Sequence, residues 1–456
     1  MRKQFRAIAG CMAFCICIAA IPGAEAAAAE EQQSYLPLNR NKTDKVYSDS
    51  QNTAYASCND VYYDAWSGAV GSWLAYDLSD VPAENRQKIN VAWYSGAWNN
   101  YDYTVRNEAP GASLSAYKLY VNDAAGGAYP ESGWKEAAAV SGCVTHSGEN
   151  VLDFAGYNWV KLEVLGVQNG GTSVNLNVDI HDCSGGLVDS WLFLGDSITA
   201  GGMVTFSAGD GNFADVLHKI APAYYPAQEN GGIGGIFSTD GKNNIDRWLE
   251  SYPGQYVSIA YGTNDCWGDQ TGAEQYYENT VYMIRAVQAA GKTAVLPKIP
   301  FSLEKGVSAN IARYNAQVDR IYEEFPDVVQ GPDFYAWFEA HPEGLSADGV
   351  HPNSDGYNEM RRLWAETLYE RIYQNRGKAE PSVIRGDVNG DGALKIDDAV
   401  LLAKYLAAET GTLPVWKNGD LDENGRLNAA DLSLLKRILA SEIYTILPIE
   451  QPVSRE

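Results

Sequence analysis

The chain has 456 residues, 45% of them hydrophobic, which is enough for about three ordinary cores rather than one. Its 58 acidic residues outnumber 34 basic ones, giving a formal net charge of -24, and no basic cluster follows the first six positions. That balance argues against nucleic acid and anionic membrane surfaces as partners.

Arg2, Lys3 and Arg6 precede an apolar run over 7–21 and small residues around Ala24, Glu25 and Ala26. This is the pattern of a secretory signal over 1–26, cut near Ala26. The run is short for a membrane span, and no other approaches about twenty residues, so an exported, soluble product with no membrane partner is expected. Cys11, Cys15 and Cys17 would leave with the signal; Cys58, Cys143, Cys183 and Cys266 remain as disulfide candidates, two bridges in three connectivities. None has the paired spacing of a zinc site, and the five histidines are scattered, so no catalytic cofactor is expected.

From 35 to 185 the pattern is short strands and turns: SWLAYDL (72–78), INVAWY (89–94), LSAYKLYV (114–121), YNWVKLEVL (157–165) and SVNLNVDI (173–180). Aromatic and β-branched residues at period two, punctuated by Gly, Asn and Asp, predict a β-sandwich or jelly roll. The segment resembles the galactose-binding-like jelly rolls attached to carbohydrate-active enzymes. Trp66, Trp73, Trp93, Trp98, Trp134 and Trp159 fall here, and most are expected in the core, because strand tryptophans bury large areas inward.

From 188 to 374 strands alternate with helices. WLFL (191–194), YVSIAY (256–261) and TAVLPKI (293–299) read as buried parallel strands, and stretches such as 243–252, 274–292 and 309–325 as helices. The alternation predicts a three-layer α/β domain with a parallel sheet, whose ligands bind beyond the carboxyl ends of the strands. LFLGDS and IAYGTND both end in polar loops at that edge.

A polar stretch over 375–383 reads as a linker. It leads into a small all-α segment, 384–446, that holds an internal repeat of period 33: DVNGDGALKIDD from Asp387 and DLDENGRLNAAD from Asp420. Oxygen side chains stand at loop positions 1, 3, 5 and 12, namely Asp387, Asn389, Asp391 and Asp398, then Asp420, Asp422, Asn424 and Asp431, with Gly392 and Gly425 at position 6. Calcium needs six to eight hard oxygens about a sharp turn, and the carbonyls of Ala393 and Arg426 at position 7 add to the set, so two Ca2+ ions are expected. At position 9 Asn428 offers an oxygen, whereas Lys395 cannot ligate, so water must fill that place in the first loop. A duplicated loop-helix of this kind resembles a dockerin, which implies docking onto a cohesin domain of a cellulosome scaffoldin.

An acyl-transfer site needs a nucleophile, a base, a group orienting the base and donors for the oxyanion. Ser197 in GDS offers the nucleophile, and ADGVHPN (347–353) offers His351 with Asp348 three residues earlier. NGGIGG (230–235) brings backbone N–H groups close, and YGTND (261–265) brings the carboxamide of Asn264. Alone each is an ordinary turn; together and in this order they resemble the SGNH (GDSL-type) hydrolases over 188–374. That resemblance implies Ser197 as nucleophile, Asp348 and His351 completing the triad, and an oxyanion hole from Ser197 N–H, Gly235 N–H and Asn264. Gly232 and Gly234 are alternatives to Gly235.

The expected function is that of a secreted cellulosomal carbohydrate esterase, of the acetylxylan esterase kind, acting on acetylated polysaccharide, xylan or mannan first. A lipid or aryl esterase of the same fold and a non-catalytic carbohydrate-binding subunit are the alternatives. If both disulfides form, Cys266 must pair with another of the four. Cys183 is separated from it by a strand length, roughly 20 Å, so Cys58 or Cys143 is the better partner. Such a bridge would hold the jelly roll over the catalytic mouth, with Trp267 as a sugar platform.

Overall fold

The computed structural model describes residues 36–49, 51–95, 113–143, 145–207, 209–376, 385–389, 394–408, 413, 415–422 and 426–446. The expected signal over 1–26, Trp98, most of the expected linker, Asp391, Gly392, Ala393, Asn424 and Gly425 lie outside the described residues. The chain divides into two units, one running to Arg371 and one beginning at Ile372.

The first unit opens with an antiparallel sandwich. Its strands are β1 (Val46–Ser48), β2 (Trp66–Ala69), β3 (Trp73–Asp77), β4 (Lys88–Ser95), β5 (Leu114–Asn122), β6 (Lys135–Ser141), β7 (Ser147–Asp153), β8 (Trp159–Val167) and β9 (Ser173–Asp182). One sheet has the order β1-β3-β8-β5-β6 and the other β2-β9-β4-β7. Because side chains alternate across a strand, Leu74 and Tyr76, Tyr117 and Leu119, and Val160, Leu162 and Val164 face inward from the first sheet. They meet Trp66, Val91, Trp93, Leu176, Val178 and Ile180 of the second. Trp66, Trp93 and Trp159 are fully buried, whereas Trp73 is half-buried and stacks on Tyr129 at 4.4 Å.

Five parallel strands follow: β10 (Ser190–Gly195), β11 (Ala227–Gly232), β12 (Tyr256–Ala260), β13 (Thr293–Leu296) and β14 (Val329–Gln330), in the order β11-β10-β12-β13-β14. The helices between these strands are α1 (Ser197–Gly202), α2 (Phe213–Ile220), α3 (Ser238–Ser251), α4 (Thr263–Cys266), α5 (Ala273–Ala289), α6 (Lys305–Ser308) and α7 (Ile311–Glu324), and α8 (Phe334–Ala340) and α9 (Ser354–Arg371) follow the last. The sheet reverses direction of growth at β10, so the crevice beyond β10 and β12 is the switch point where such folds bind ligands. Ser197 follows one of these strands and Asn264 the other.

All four described cysteines are free thiols, which overturns the expected disulfides. The physical reason is their placement. Cys58 and Cys143 pack with the sandwich core, and Cys183 is buried just beyond β9. Cys266 is fully buried in α4, where its Sγ donates to Thr263 O at 3.4 Å and burial pushes its thiol up to about 12. Polar contacts join the two layers instead. Arg40 Nη2 donates to Asp215 Oδ1 at 2.6 Å, and Tyr62 OH meets Tyr225 OH at 2.8 Å and donates to Asp179 Oδ2 at 2.6 Å. The sandwich therefore flanks β11. That edge strand's Gln228 N donates to Tyr94 OH at 3.3 Å and its Asn230 N to Ser147 Oγ at 2.8 Å, which satisfies groups an open edge would leave unpaired.

The second unit holds α10 (Ile396–Leu406) and α11 (Ala429–Ile446), with Val388, Ala399, Leu402, Leu421 and Leu435 buried between loops and helices. Among the described residues no helix is long and apolar enough to cross a membrane.

Candidate active site

Gly195 ends β10, and Ser197 begins α1 two residues later. Asp196 caps that helix, its Oδ1 accepting from Ile198 N at 2.9 Å, so this carboxylate shapes the turn rather than facing substrate. Ser197 Oγ lies 2.7 Å from His351 Nε2, and His351 Nδ1 lies 2.7 Å from Asp348 Oδ2. The other Asp348 oxygen accepts from Val350 N at 2.9 Å and His351 N at 3.0 Å. Burial works to raise the Asp348 carboxyl, but the bonds from His351 and from these backbone N–H groups hold it below the ordinary aspartate range. A carboxylate that stays ionised fixes the proton on Nδ1 and leaves Nε2 to accept from the serine.

The loop carrying the histidine is anchored from outside. The Gly349 carbonyl accepts from Ser302 Oγ and Leu303 N, both at 2.8 Å, and Ser346 N donates to His351 O at 2.7 Å. Immediately after this loop α9 grips α1. Buried Arg361 donates through Nη1 to Gly202 O at 3.0 Å and Val204 O at 2.8 Å. A Cβ at Gly201 would sit 2.5 Å from the Tyr357 ring, so the two helices meet closely there. The helix after the base thus fixes the helix that bears the nucleophile. Sequence reading missed Arg361, because an arginine in an amphipathic helix reads as a surface residue.

Gly232 at the end of β11 packs on α1, where a Cβ would stand 2.1 Å from Ala200 N. Gly235 adopts φ +75, a conformation that favours glycine, and Gly234 has open space about it. Asn264 Nδ2 donates to Ile236 O at 2.9 Å, tying the end of β12 to the Gly235 turn. Its neighbour Asp265, fully buried and raised in pKa by that burial, accepts from Ser238 N at 3.0 Å and Ser238 Oγ at 2.5 Å. Asp265 was absent from the sequence expectations; an acid that bonds across two loops carries no local signal. Trp267 is 37% exposed, and its indole lies against Gly306, three residues after Leu303, so it stands beside the segment that anchors the His351 loop.

In the second unit Asp420, Asp422 and Asp431 bring carboxylate oxygens within 4.8 Å of one another, a donor set that fits a hard cation such as calcium. Asp431 and Asp398 are both fully buried and occupy equivalent places. Asp398 accepts from Val388 N, Asn389 N and Lys395 N, and Asp431 from Leu421 N, Asp422 N and Asn428 N. Asp387 is buried with them. Asn428 Oδ1 accepts from Ala430 N at 2.7 Å, which caps α11, and the Arg426 carbonyl accepts from Asn428 Nδ2 at 3.5 Å.

A parallel sheet with a Ser–His–Asp chain at its switch point defines the class: an α/β domain with hydrolase-type geometry. Residues 193–358 match the GDSL-like Lipase/Acylhydrolase family and residues 385–440 the Dockerin type I domain, so the chain carries a domain of each kind. A multidomain esterase of Ruminococcus flavefaciens is 25% identical over 177 residues, which are 35% of this chain and 23% of that protein. The chain thus spans about a quarter of that curated relative's length. A lipase/acylhydrolase from Enterococcus faecalis is 21% identical, covering 40% of this chain and 96% of that one with a TM-score of 0.34. An acetylxylan esterase from Geobacillus stearothermophilus is 23% identical, covering 41% and 94% with a TM-score of 0.33.

Proposed function

We propose that the chain is an exported serine esterase that removes acetyl groups from plant cell-wall polysaccharide, xylan or mannan, while tethered through its C-terminal unit to a cohesin. The observation that carries this reading is the continuous hydrogen-bonded path from Ser197 Oγ through His351 to Asp348, 2.7 Å at each step. Ser197 Oγ attacks the acetyl carbonyl carbon as His351 Nε2 takes its proton. The oxyanion meets the N–H groups of Ser197 and Gly235 and the Asn264 amide. Collapse breaks the ester bond, and His351 returns the proton to the departing sugar oxygen. Water, losing its proton to His351, then attacks the acetyl-serine; the bond to Oγ breaks, acetate leaves and His351 returns the proton to Ser197 Oγ. Two features support a polymer as substrate. The side chains of His351 and Asp348 are 37% and 51% exposed, so the reacting groups stand near the surface. The dockerin domain, for its part, would hold the enzyme near insoluble glycan. Calcium held by the two C-terminal loops supplies folding energy to that unit rather than chemistry at Ser197.

The test compares acetate release from acetylated xylan, mannan and pectin with cleavage of butyryl and longer esters, with Ser197→Ala as control. Serine-dependent acetate release from xylan or mannan supports the reading. Rapid long-chain cleavage with no acetate from any glycan replaces it with a lipid or aryl esterase. No serine-dependent turnover leaves a carbohydrate-binding subunit.

A further inference from the structure

Asn264 and Asp265 are consecutive residues of α4, and both reach the short stretch over 236–238 that leads from the Gly235 turn into α3. The first contact sets the amide. Asn264 Nδ2 donates to Ile236 O at 2.9 Å, and a carbonyl can meet only a donor, so this bond fixes which way the carboxamide faces. An NH2 group carries two hydrogens; one serves Ile236 O and the second serves the oxyanion.

The second contact closes a ring. Phe237 stands at the N-cap of α3 and has no side-chain acceptor, although the first N–H groups of a helix need one. Asp265 supplies it from another element: Oδ2 accepts from Ser238 N at 3.0 Å and Oδ1 from Ser238 Oγ at 2.5 Å. Asp265 and Ser238 are both fully buried, so water does not compete for these bonds. Asn279 of α5 holds Ser238 in turn, its Nδ2 donating to Ser238 Oγ and to Thr239 Oγ1, both at 3.0 Å. Tyr314 OH of α7 lies 3.0 Å from Asp265 O, and Asn310 Nδ2 donates to Cys266 O at 3.0 Å, so α4 is fixed by groups other than α3 as well.

Gly235 adjoins Ile236, and Asn264 adjoins Asp265; these are the two oxyanion donors that Ser197 does not itself supply. They belong to loops that follow β11 and β12, strands that flank β10 and do not pair with each other. Donors aimed at a developing charge act fully only when they are in place before it forms, so the distance between these loops matters. We propose that Asp265 is a positioning residue of the oxyanion hole, whose bonds to Ser238 lock the Gly235 turn to Asn264 and so fix the spacing of the two donors. It acts through Ser238 and Asn264 and touches no substrate. The inference rests on the esterase reading, since the spacing serves chemistry only where an oxyanion forms.

The test is a double-mutant cycle on aryl-acetate hydrolysis by the full calcium-saturated chain. Asp265→Asn keeps a carbonyl for Ser238 N but turns an NH2 group toward the hydroxyl, so the cap of α3 persists while the clamp loosens. Its kcat should fall about tenfold with KM within about twofold, less than the ~10²- to 10³-fold expected on deleting the Asn264 donor itself. In an Asn264→Ala background the same change should cost less than about threefold, because the donor it serves is gone. Ser238→Ala removes the hydroxyl and keeps the N–H bond; it should show the same pattern with a smaller loss, and it takes over if Asp265→Asn does not fold. Hydrogen exchange reads the clamp without turnover: 233–240 and 261–267 should exchange faster together in either variant, while the sandwich is unchanged. Equal losses in both backgrounds, a folded Asp265→Asn with the parent's kcat, or faster exchange confined to one of the two segments overturns the proposal. A parent without Ser197-dependent turnover overturns the esterase reading instead, and the exchange result then decides whether Asp265 clamps the two loops.

Discussion

Replacing Asp348 with asparagine separates the orienting bond from the loop architecture. In the structure Oδ1 of Asp348 accepts from two backbone N–H groups at 2.9 and 3.0 Å, while Oδ2 faces His351 Nδ1 at 2.7 Å. An asparagine keeps its carbonyl on the backbone donors and so must turn its NH2 toward Nδ1. The imidazole then carries its proton on Nε2, the nitrogen that has to accept from Ser197. A charge-assisted bond of this kind is worth about 1.5–3 kcal/mol. The Asp348 side chain is 51% exposed, so water partly replaces the lost acceptor. The effect should therefore fall well short of the ~10⁴-fold seen when a buried triad aspartate is changed to asparagine. Taking about 2–3 kcal/mol, kcat falls roughly 30- to 150-fold with KM little changed. The assay is steady-state hydrolysis of an aryl acetate at pH 8, beside thermal melting of the same protein. Asp348→Ala should lose similar activity but also about 1 kcal/mol of stability or more, because it strips two backbone N–H donors of their acceptor. A kcat within threefold of the parent, or a loss as complete as in Ser197→Ala, refutes the reasoning.

Asn264→Ala should lower kcat about 10²- to 10³-fold while the fold persists, if its amide serves the oxyanion as proposed; an unchanged kcat removes it from that role. Chelating calcium should abolish cohesin capture and expose 385–446 to protease while aryl-acetate turnover persists, read by mass mapping of the fragments. Asp179 is buried, and desolvation raises its carboxyl from 3.8 to about 7 despite the Tyr62 bond and the Arg40 charge. Its proton favours the folded state, so the stability it contributes is complete below about pH 4 and is lost as pH rises through 7, by at most about 4 kcal/mol. Melting curves over that window should flatten in Asp179→Asn; an unaltered pH slope would assign the dependence elsewhere.

The parts of the fold legible in the sequence were those whose side chains obey one period or one spacing. β10 and β12 are buried and mostly apolar because helices cover both faces, and Ser197, Asn264, Asp348 and His351 stand at strand ends and turns where turn chemistry and function coincide. β11 was not legible. Its residues, Ala-Gln-Glu-Asn-Gly-Gly, contain no apolar run, yet Gln228 and Glu229 are buried because the sandwich closes over that edge. A strand whose burial comes from another domain has no reason to show a period of its own; Arg361 and Asp265 were hidden because their partners, the carbonyls of Gly202 and Val204 and the N–H and hydroxyl of Ser238, stand on other elements of their own domain.

The cysteines carry that argument one step further. Four thiols in a chain read from its sequence as exported suggested covalent stapling between layers, because spacing was all that the sequence offered. The structure gives the joint a different chemistry: Arg40, Tyr62 and Asp179 reach Asp215 and Tyr225, and Tyr94 and Ser147 cap the N–H groups of β11. A polar joint of this kind needs many groups placed together, each unremarkable in sequence, and it leaves the cysteines free to act as small buried hydrophobes. It also sets the sandwich beside β11 rather than across the crevice between β10 and β12. The sandwich therefore closes the edge of the sheet along β11 and leaves Ser197, beyond the carboxyl end of β10, open to substrate.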